Sequence, residues 1–218
     1  CEPKYRTGFD RNFWIWENYI PECTYVISAD VARGDGKDYS VFHILKLDTM
    51  EVVAEYQGKV TPDIFANVLF DAGAEYGNSM LVVENNSVGY TVLDKLKELG
   101  YPNLYHSIKS SHEYVDQVQA EHMNSSVAGF TTSLKTRPLI IAKMEEFVRN
   151  KLVKVYSSRL VNEFKTFIWN NGRPQAMRSY NDDLIMSFAI GCWIRDTVFS
   201  ENQRESQYKK AMLNSMKK

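Results

Sequence analysis

The stretch Thr24–Gly58, TYVISADVARGDGKDYSVFHILKLDTMEVVAEYQG, decides the fold. Thr24 to Ala29 is rich in β-branched and aromatic residues and stops at Asp30, after which VARGDGKD sets two glycines among charged residues. That composition predicts a strand followed by a tight turn. Tyr39 to Leu47 resumes the strand pattern, and Glu51 to Gly58 gives a third strand after the turn residues Asp48 and Thr49. Three consecutive strands joined by short turns form an antiparallel meander.

Reading outward, Thr61-Pro62-Asp63 is a helix start, with Thr61 as N-cap and Pro62 at the first helical position. Ile64, Phe65, Val68, Leu69 and Ala72 continue it as a 3.6-period stripe until Gly77. Ser79 to Val83 is short and wholly apolar, the pattern of a strand covered on both faces, and it ends at Glu84. Val92 to Leu99 is a second amphipathic helix, and Leu104 to Ile108 a fifth strand. His112 to Met123 is polar and irregular, the composition of a mobile loop or hairpin. Thr131 to Asn150 predicts a helix, Leu152 to Tyr156 a strand-like link and Leu160 to Trp169 another helix, and Asn181 caps an apolar helix over Asp182 to Phe199. The order β-β-β-α-β-α-β followed by helices predicts an α/β fold. It is a mixed sheet containing the antiparallel meander, with helices on both faces, the RNase H-like order.

The chain has 218 residues, 44% of them hydrophobic, enough to bury one sizeable core. We expect residues 21–199 to form the domain. Residues 1–20, aromatic-rich without a clear period, are expected to be a linker remnant, and residues 200–218 a flexible C-terminal tail. With 26 basic and 27 acidic residues the net charge is -1, which excludes a globally basic nucleic-acid binder and leaves a local patch as the means of holding DNA. Cys1, Cys23 and Cys192 are odd in number and lack CxxC spacing, which argues against a disulfide framework or a zinc site. His106, His112 and His122 lack HExxH spacing, and His43 alternates with apolar residues as a satisfied sheet residue does. No apolar run approaches the roughly 18 residues of a membrane span, and no GxxxxGK[ST] phosphate loop is present, so no ATP hydrolysis is expected of this chain.

Three acids stand at element ends: Asp30 after the first meander strand, Glu84 after the apolar strand, and Asp183 in the first turn of the last helix. Carboxylates on one rim of a sheet repel one another unless a divalent cation neutralises them. Hard oxygen ligands of this kind suit Mg²⁺ or Mn²⁺. Two such ions, roughly 3.5–4 Å apart, would serve phosphodiester hydrolysis. Taken singly, each acid is also explained as a turn former, a solvated carboxylate or a helix-start residue. Asp35 and Asp38 in GDGKD are turn formers or supporting acids, with Asp38 the better placed. Asn85, Asn86 and Ser87 either orient the Glu84 carboxylate or form the turn after the strand. Arg33, Lys37, Lys109, Lys135, Arg137 and Lys143 are candidates for holding phosphates, and solvated charges explain them as well.

The strings ISADVARGDGKDYSVFHI, LVVENNSVG and YNDDLIMSFAI resemble, in order, the three nuclease motifs of the large terminase subunit of tailed bacteriophages, myovirus branch, over roughly Tyr25 to Arg195. The resemblance implies a metal-dependent endonuclease that cuts concatemeric viral DNA during packaging, using Asp30, Glu84 and Asp183 as catalytic, metal-binding acids. Helix periodicity does not decide between Asp182 and Asp183; the resemblance matches the second to the ligand and leaves Asp182 a supporting role. It also implies double-stranded DNA as substrate without strong sequence preference, and an N-terminal ATPase domain, the portal and the small terminase subunit as partners. Action in the host cytoplasm, with no membrane, follows, and the abrupt start at Cys1 fits a fragment lacking the ATPase. Two other readings remain: another RNase H-like nuclease such as a resolvase or transposase core, and a non-cutting module that docks DNA or portal.

Overall fold

The computed structural model describes residues 1–86, 88–108 and 126–199. The meander is present as β3 (Tyr25–Asp30), β4 (Ser40–Lys46) and β5 (Glu51–Gly58), paired antiparallel in sequence order. α1 (Pro62–Glu75) starts at Thr61 with Pro62 in its first turn, and Gly77 beyond it takes a left-handed φ of 72°, which glycine adopts without strain. It returns the chain to β6 (Met80–Val83), which lies parallel to β3. α2 (Gly89–Glu98) follows.

Alternation along the strands divides the core in two. Ile27, Ala29, Phe42, Ile44, Leu81 and Val83 pack with Phe65 and Leu69 of α1 and Val92, Leu93 and Leu96 of α2. Val26, Val41, Leu45 and Val82 face the other way, against α3 (Thr136–Arg149), Leu160 of α4 (Ser158–Phe164) and α5 (Asp183–Ile194). α5 is buried over nearly its whole length, as a helix apolar on all sides must be. No helix among the described residues is long and apolar enough to cross a membrane.

Several expectations are corrected. Residues 1–20 are not outside the fold: β1 (Tyr5–Thr7) pairs with β2 (Phe13–Ile15), and β2 pairs with β5, giving the sheet order β1-β2-β5-β4-β3-β6. Phe13 and Ile15 are buried in the core while Trp14 faces the other side, a strand alternation too short to stand out in sequence. Residues 131–135 precede α3 rather than belong to it. The expected fifth strand is split: Leu104 bridges β6, whereas β7 (His106–Ile108) pairs with β8 (Ser126–Ala128) in a separate ladder.

The predicted helix Leu160–Trp169 ends at Phe164, and β9 (Phe167–Asn170) and β10 (Arg173–Ala176) form a hairpin. Its two-residue loop is Asn171-Gly172, with φ of 49° and 75°. Asn-Gly is the strongest short hairpin signal, and here it outweighs the apolar run before it. A π-helical turn, Arg195–Phe199, ends the described chain. The expected irregular loop His112–Met123 and the tail 200–218 lie outside the described residues.

Candidate functional site

β3 and β6 run parallel, with Ala29 opposite Val83, so the next residues, Asp30 and Glu84, emerge side by side at the carboxyl ends of neighbouring strands. The Glu84 N–H donates to the Ala29 carbonyl at 2.9 Å, which holds that register to its last position. Strand alternation puts both carboxyls on the α5 side of the sheet. Burial raises the Asp30 carboxyl well above the usual carboxylate range, and the Glu84 charge, a hydrogen bond shared with Glu84, and the charges of Asp183 and Asp182 raise it further.

Asp183 opens α5 and is buried. Its Oδ2 accepts from the Tyr39 N–H at 2.8 Å and from the Asn181 side-chain amide at 3.0 Å. Burial pushes its pKa up to about 6; those two hydrogen bonds oppose the shift, and the charges of Asp38 and Asp182 add to it. The expected N-cap Asn181 is therefore corrected. Asp182 occupies the cap position without a side-chain cap bond, and Asn181 braces Asp183 while donating to the Lys37 carbonyl at 3.0 Å.

The structure brings Glu84, Asp183 and Asp182 within electrostatic reach of Asp30, and Asp38 and Asp182 within reach of Asp183. Asn85 does not belong with them. Its amide is buried, donating to the Ala128 carbonyl at 3.0 Å, and its oxygen accepts from the Thr131 hydroxyl. Asn86 instead donates to Glu84 Oε1 at 3.0 Å and to the Thr132 carbonyl at 2.8 Å. Among the candidate phosphate contacts, Arg33 and Lys37 are exposed on the loop beside Asp38, and Lys135 is exposed just before α3. Lys109 lies outside the described residues.

Arg137 is corrected to an internal role: its guanidinium pairs with Asp182 and donates from Nε to the Pro174 carbonyl at 3.1 Å. Asp182 also accepts from the Ala176 N–H at 3.2 Å, so the β9–β10 hairpin is tied to the start of α5.

Glu163 was not singled out by sequence. Its Oε2 accepts from the Ile185 N–H at 3.1 Å, satisfying one of the unpaired amides of the first turn of α5. Burial, only partly offset by that bond, raises its pKa to about 8, and the charges of Asp183 and Asp182 add to the shift. No local pattern marks such a residue, because the helix it serves lies some twenty residues downstream.

A sequence-family profile for DNA-dependent RNA polymerase matches residues 49–216. Two curated proteins are also similar: the large terminase subunits of Thermus virus P23-45 and Thermus phage G20c, each 28% identical over 181 residues, covering 81% of this chain and 33% of the relative. Among solved structures, the large terminase nuclease of thermophilic phage G20c with bound magnesium matches with a TM-score of 0.66 at 21% identity, over 88% of this chain and 90% of that one. The large terminase nuclease domain of Thermus phage P74-26 matches with a TM-score of 0.64 at 21% identity, over 88% of each.

The profile match and the fold disagree. The former begins in the β4–β5 turn, so it omits β3 with Asp30 and cuts the sheet apart, whereas the terminase nucleases share the architecture across the sheet and both helical layers. The fold is the sounder guide. The chain is similar in sequence to large terminase subunits. It has the RNase H-like fold of their nuclease domains, and it spans about a third of the length of the curated terminases it matches.

As the side chains stand, no three acids, histidines or cysteines among the described residues form a group that could hold a metal ion. Asp30 and Glu84 lie side by side at the ends of neighbouring parallel strands. The donor set nonetheless suits a divalent cation. Acids raised by burial and by one another's charge become more favourable once a cation stands between them. The guanidinium that does reach the cluster, that of Arg137, goes to Asp182.

Proposed function

We propose that this chain is the nuclease of a viral DNA-packaging protein and cuts double-stranded DNA by metal-dependent phosphodiester hydrolysis. The observation that carries the proposal is the placement of Asp30 and Glu84 side by side at the carboxyl ends of adjacent parallel strands, with Asp183 close enough for its charge to act on Asp30.

Asp30, Glu84 and Asp183 would be the metal-holding acids, for two Mg²⁺ or Mn²⁺ ions. When bound, such ions activate a water and stabilise the leaving 3′ oxygen. Tyr39 and Asn181 fix one oxygen of Asp183, Oδ2. Asn86 holds Glu84 in the same way. Arg137 neutralises Asp182 and keeps it from competing for the cation, while Asp38 adds negative charge at the rim. Arg33, Lys37 and Lys135 are exposed and would hold the phosphate backbone, which would give weak, salt-sensitive binding without base readout.

By likeness to the terminases, the substrate is concatemeric viral DNA. The partners are an N-terminal ATPase domain, the portal and the small terminase subunit, and the place of action is the host cytoplasm. The division at residue 200 into nuclease and tail is part of the same proposal.

Nicking of supercoiled plasmid in Mg²⁺, in Mn²⁺ and in EDTA tests it. Cleavage is expected with either ion and none in EDTA, and Asp183→Asn should be inactive while Asp182→Asn retains roughly a tenth to a hundredth of the activity. Cleavage in EDTA, or a dead Asp182→Asn beside an active Asp183→Asn, would overturn the assignment.

A further inference from the structure

His43 lies in the middle of the sheet, fully buried, and takes no part in the cluster of acids. Register puts it in a row that crosses the sheet on the α5 face: Arg6 opposite Trp14, Trp14 opposite Glu55, Glu55 opposite His43, His43 opposite Ser28. Ser28, His43 and Glu55 are all fully buried. Each joint of the row is closed by a specific contact. Arg6 and Arg159 lie over the Trp14 ring, at 4.4 and 3.8 Å from its centre. The Arg159 Nε donates to Glu55 Oε1 at 2.7 Å, and Glu55 Oε2 is 3.0 Å from His43 Nε2. His43 Nδ1 is 3.0 Å from the Ser187 hydroxyl of α5, which donates to the Ser28 carbonyl at 2.7 Å.

Proton counting fixes the direction of these bonds. The one hydroxyl hydrogen of Ser187 goes to a carbonyl, which cannot donate in return, so Ser187 Oγ accepts from His43 Nδ1. Burial pushes the Glu55 carboxyl up, but the His43 hydrogen bond, the His43 charge and Arg159 together hold it below its usual value. Held between Glu55 and Ser187, His43 clamps α5 to β4, and Ser187 clamps α5 to β3.

The clamp sits next to the acids on both sides. Ser28 precedes Asp30 by two residues on the same face of β3, and Ser187 follows Asp183 by one helical turn. One turn further, Gly191 continues the same stripe. A Cβ there would come within 2.8 Å of the Ser28 hydroxyl, so the helix lies against β3 as closely as its backbone allows.

We infer that the His43–Ser187–Ser28 clamp sets the distance between Asp30 and Asp183, which makes His43 and Ser187 positioning residues for the divalent cation. The inference rests on the metal-binding role proposed above. Through Arg159 and Trp14, the N-terminal strands are the outer anchor of the same row.

Mn²⁺ binding to the 218-residue chain, followed by electron paramagnetic resonance of free Mn²⁺ without DNA, tests this. Ser187→Ala should weaken Mn²⁺ binding roughly tenfold, the usual effect of removing a group that orients a ligand, and Ser187→Thr, which keeps the hydroxyl, should restore most of it. His43→Gln should match Ser187→Ala. Ile190→Val, a cavity one turn along the same buried helix, should lower the melting temperature and leave Mn²⁺ binding unchanged. Wild-type affinity in Ser187→Ala overturns the positioning role while leaving the metal site standing, and so does a loss in Ile190→Val equal to that in Ser187→Ala. Failure of the wild type to bind Mn²⁺ overturns the metal reading and the inference with it.

Discussion

The two faces of the central sheet are built from the same strands by opposite rules. On the α1–α2 face, Phe42 stacks on Tyr56 with ring centres 5.5 Å apart, and Phe13 meets Phe42 edge-on at 5.2 Å. Polar atoms reach the rim there through phenols: Tyr76 donates to the Glu17 carbonyl and Tyr101 to the Ser79 carbonyl, both at 2.6 Å. On the α5 face the same strands bury Ser28, His43 and Glu55 and end in Asp30 and Glu84. Burying ionised groups costs stability unless they are paired and hydrogen-bonded. The difference shows where the molecule gains stability and where it holds charge ready for a ligand.

The sharpest way to test that contrast is to relieve the charge on the α5 face. Asp30→Asn or Glu84→Gln should lower metal-dependent nicking by roughly 1000-fold or more, since each removes a formal charge from the proposed metal cage while keeping its shape. The metal-free melting temperature should stay the same or rise slightly, because like charges are separated. A large fall in melting temperature would erase the distinction between the faces.

The opposite face should respond in reverse. Phe65→Ala, in the aromatic cluster, should cost about 3–5 kcal/mol of stability in guanidinium unfolding and leave the metal requirement of nicking unchanged.

Glu163 refines the contrast through pH. Its folded pKa near 8 lies above the ordinary 4.5, so the stability it contributes is full below about 4.5 and is lost as the pH rises to about 8. The loss is at most about 1.4 kcal/mol per pH unit. Glu163→Gln should flatten the pH dependence of unfolding across that window relative to wild type; parallel curves would show that the carboxyl is not protonated in the fold.

The smallest effect is expected at the hairpin beside the α5 face. Gly172→Ala, at a φ of 75°, should cost about 1 kcal/mol and leave the melting of the main sheet cooperative.

Much of this was legible in the sequence where a pattern is local. The meander, the Thr61-Pro62 helix start, the apolar strand before Glu84 and the buried last helix each carry their own period and stop signal. Asp30 and Glu84 stood out because an acid closing an apolar strand has no packing reason to be there. Asn85 and Asn86 could not be ranked that way, since a shift of one residue at a strand end reverses the side of the sheet a side chain faces. The β9–β10 hairpin was signalled by Asn171-Gly172, yet Phe167, Ile168 and Trp169 read equally well as the end of a helix.

Sequence by itself determined the meander, the first two helices, the apolar strand and the buried last helix, and which acids end them, because propensity and periodicity act over a few neighbouring residues. Only the tertiary structure decided that Arg137 serves Asp182, that Glu163 serves α5, and that Ser28, His43, Glu55 and Trp14 form one row. These depend on strand register and helix docking, which bring together residues as many as 159 positions apart, as between Ser28 and Ser187. No local pattern encodes such a pairing, since it is the packing of the whole core that selects it.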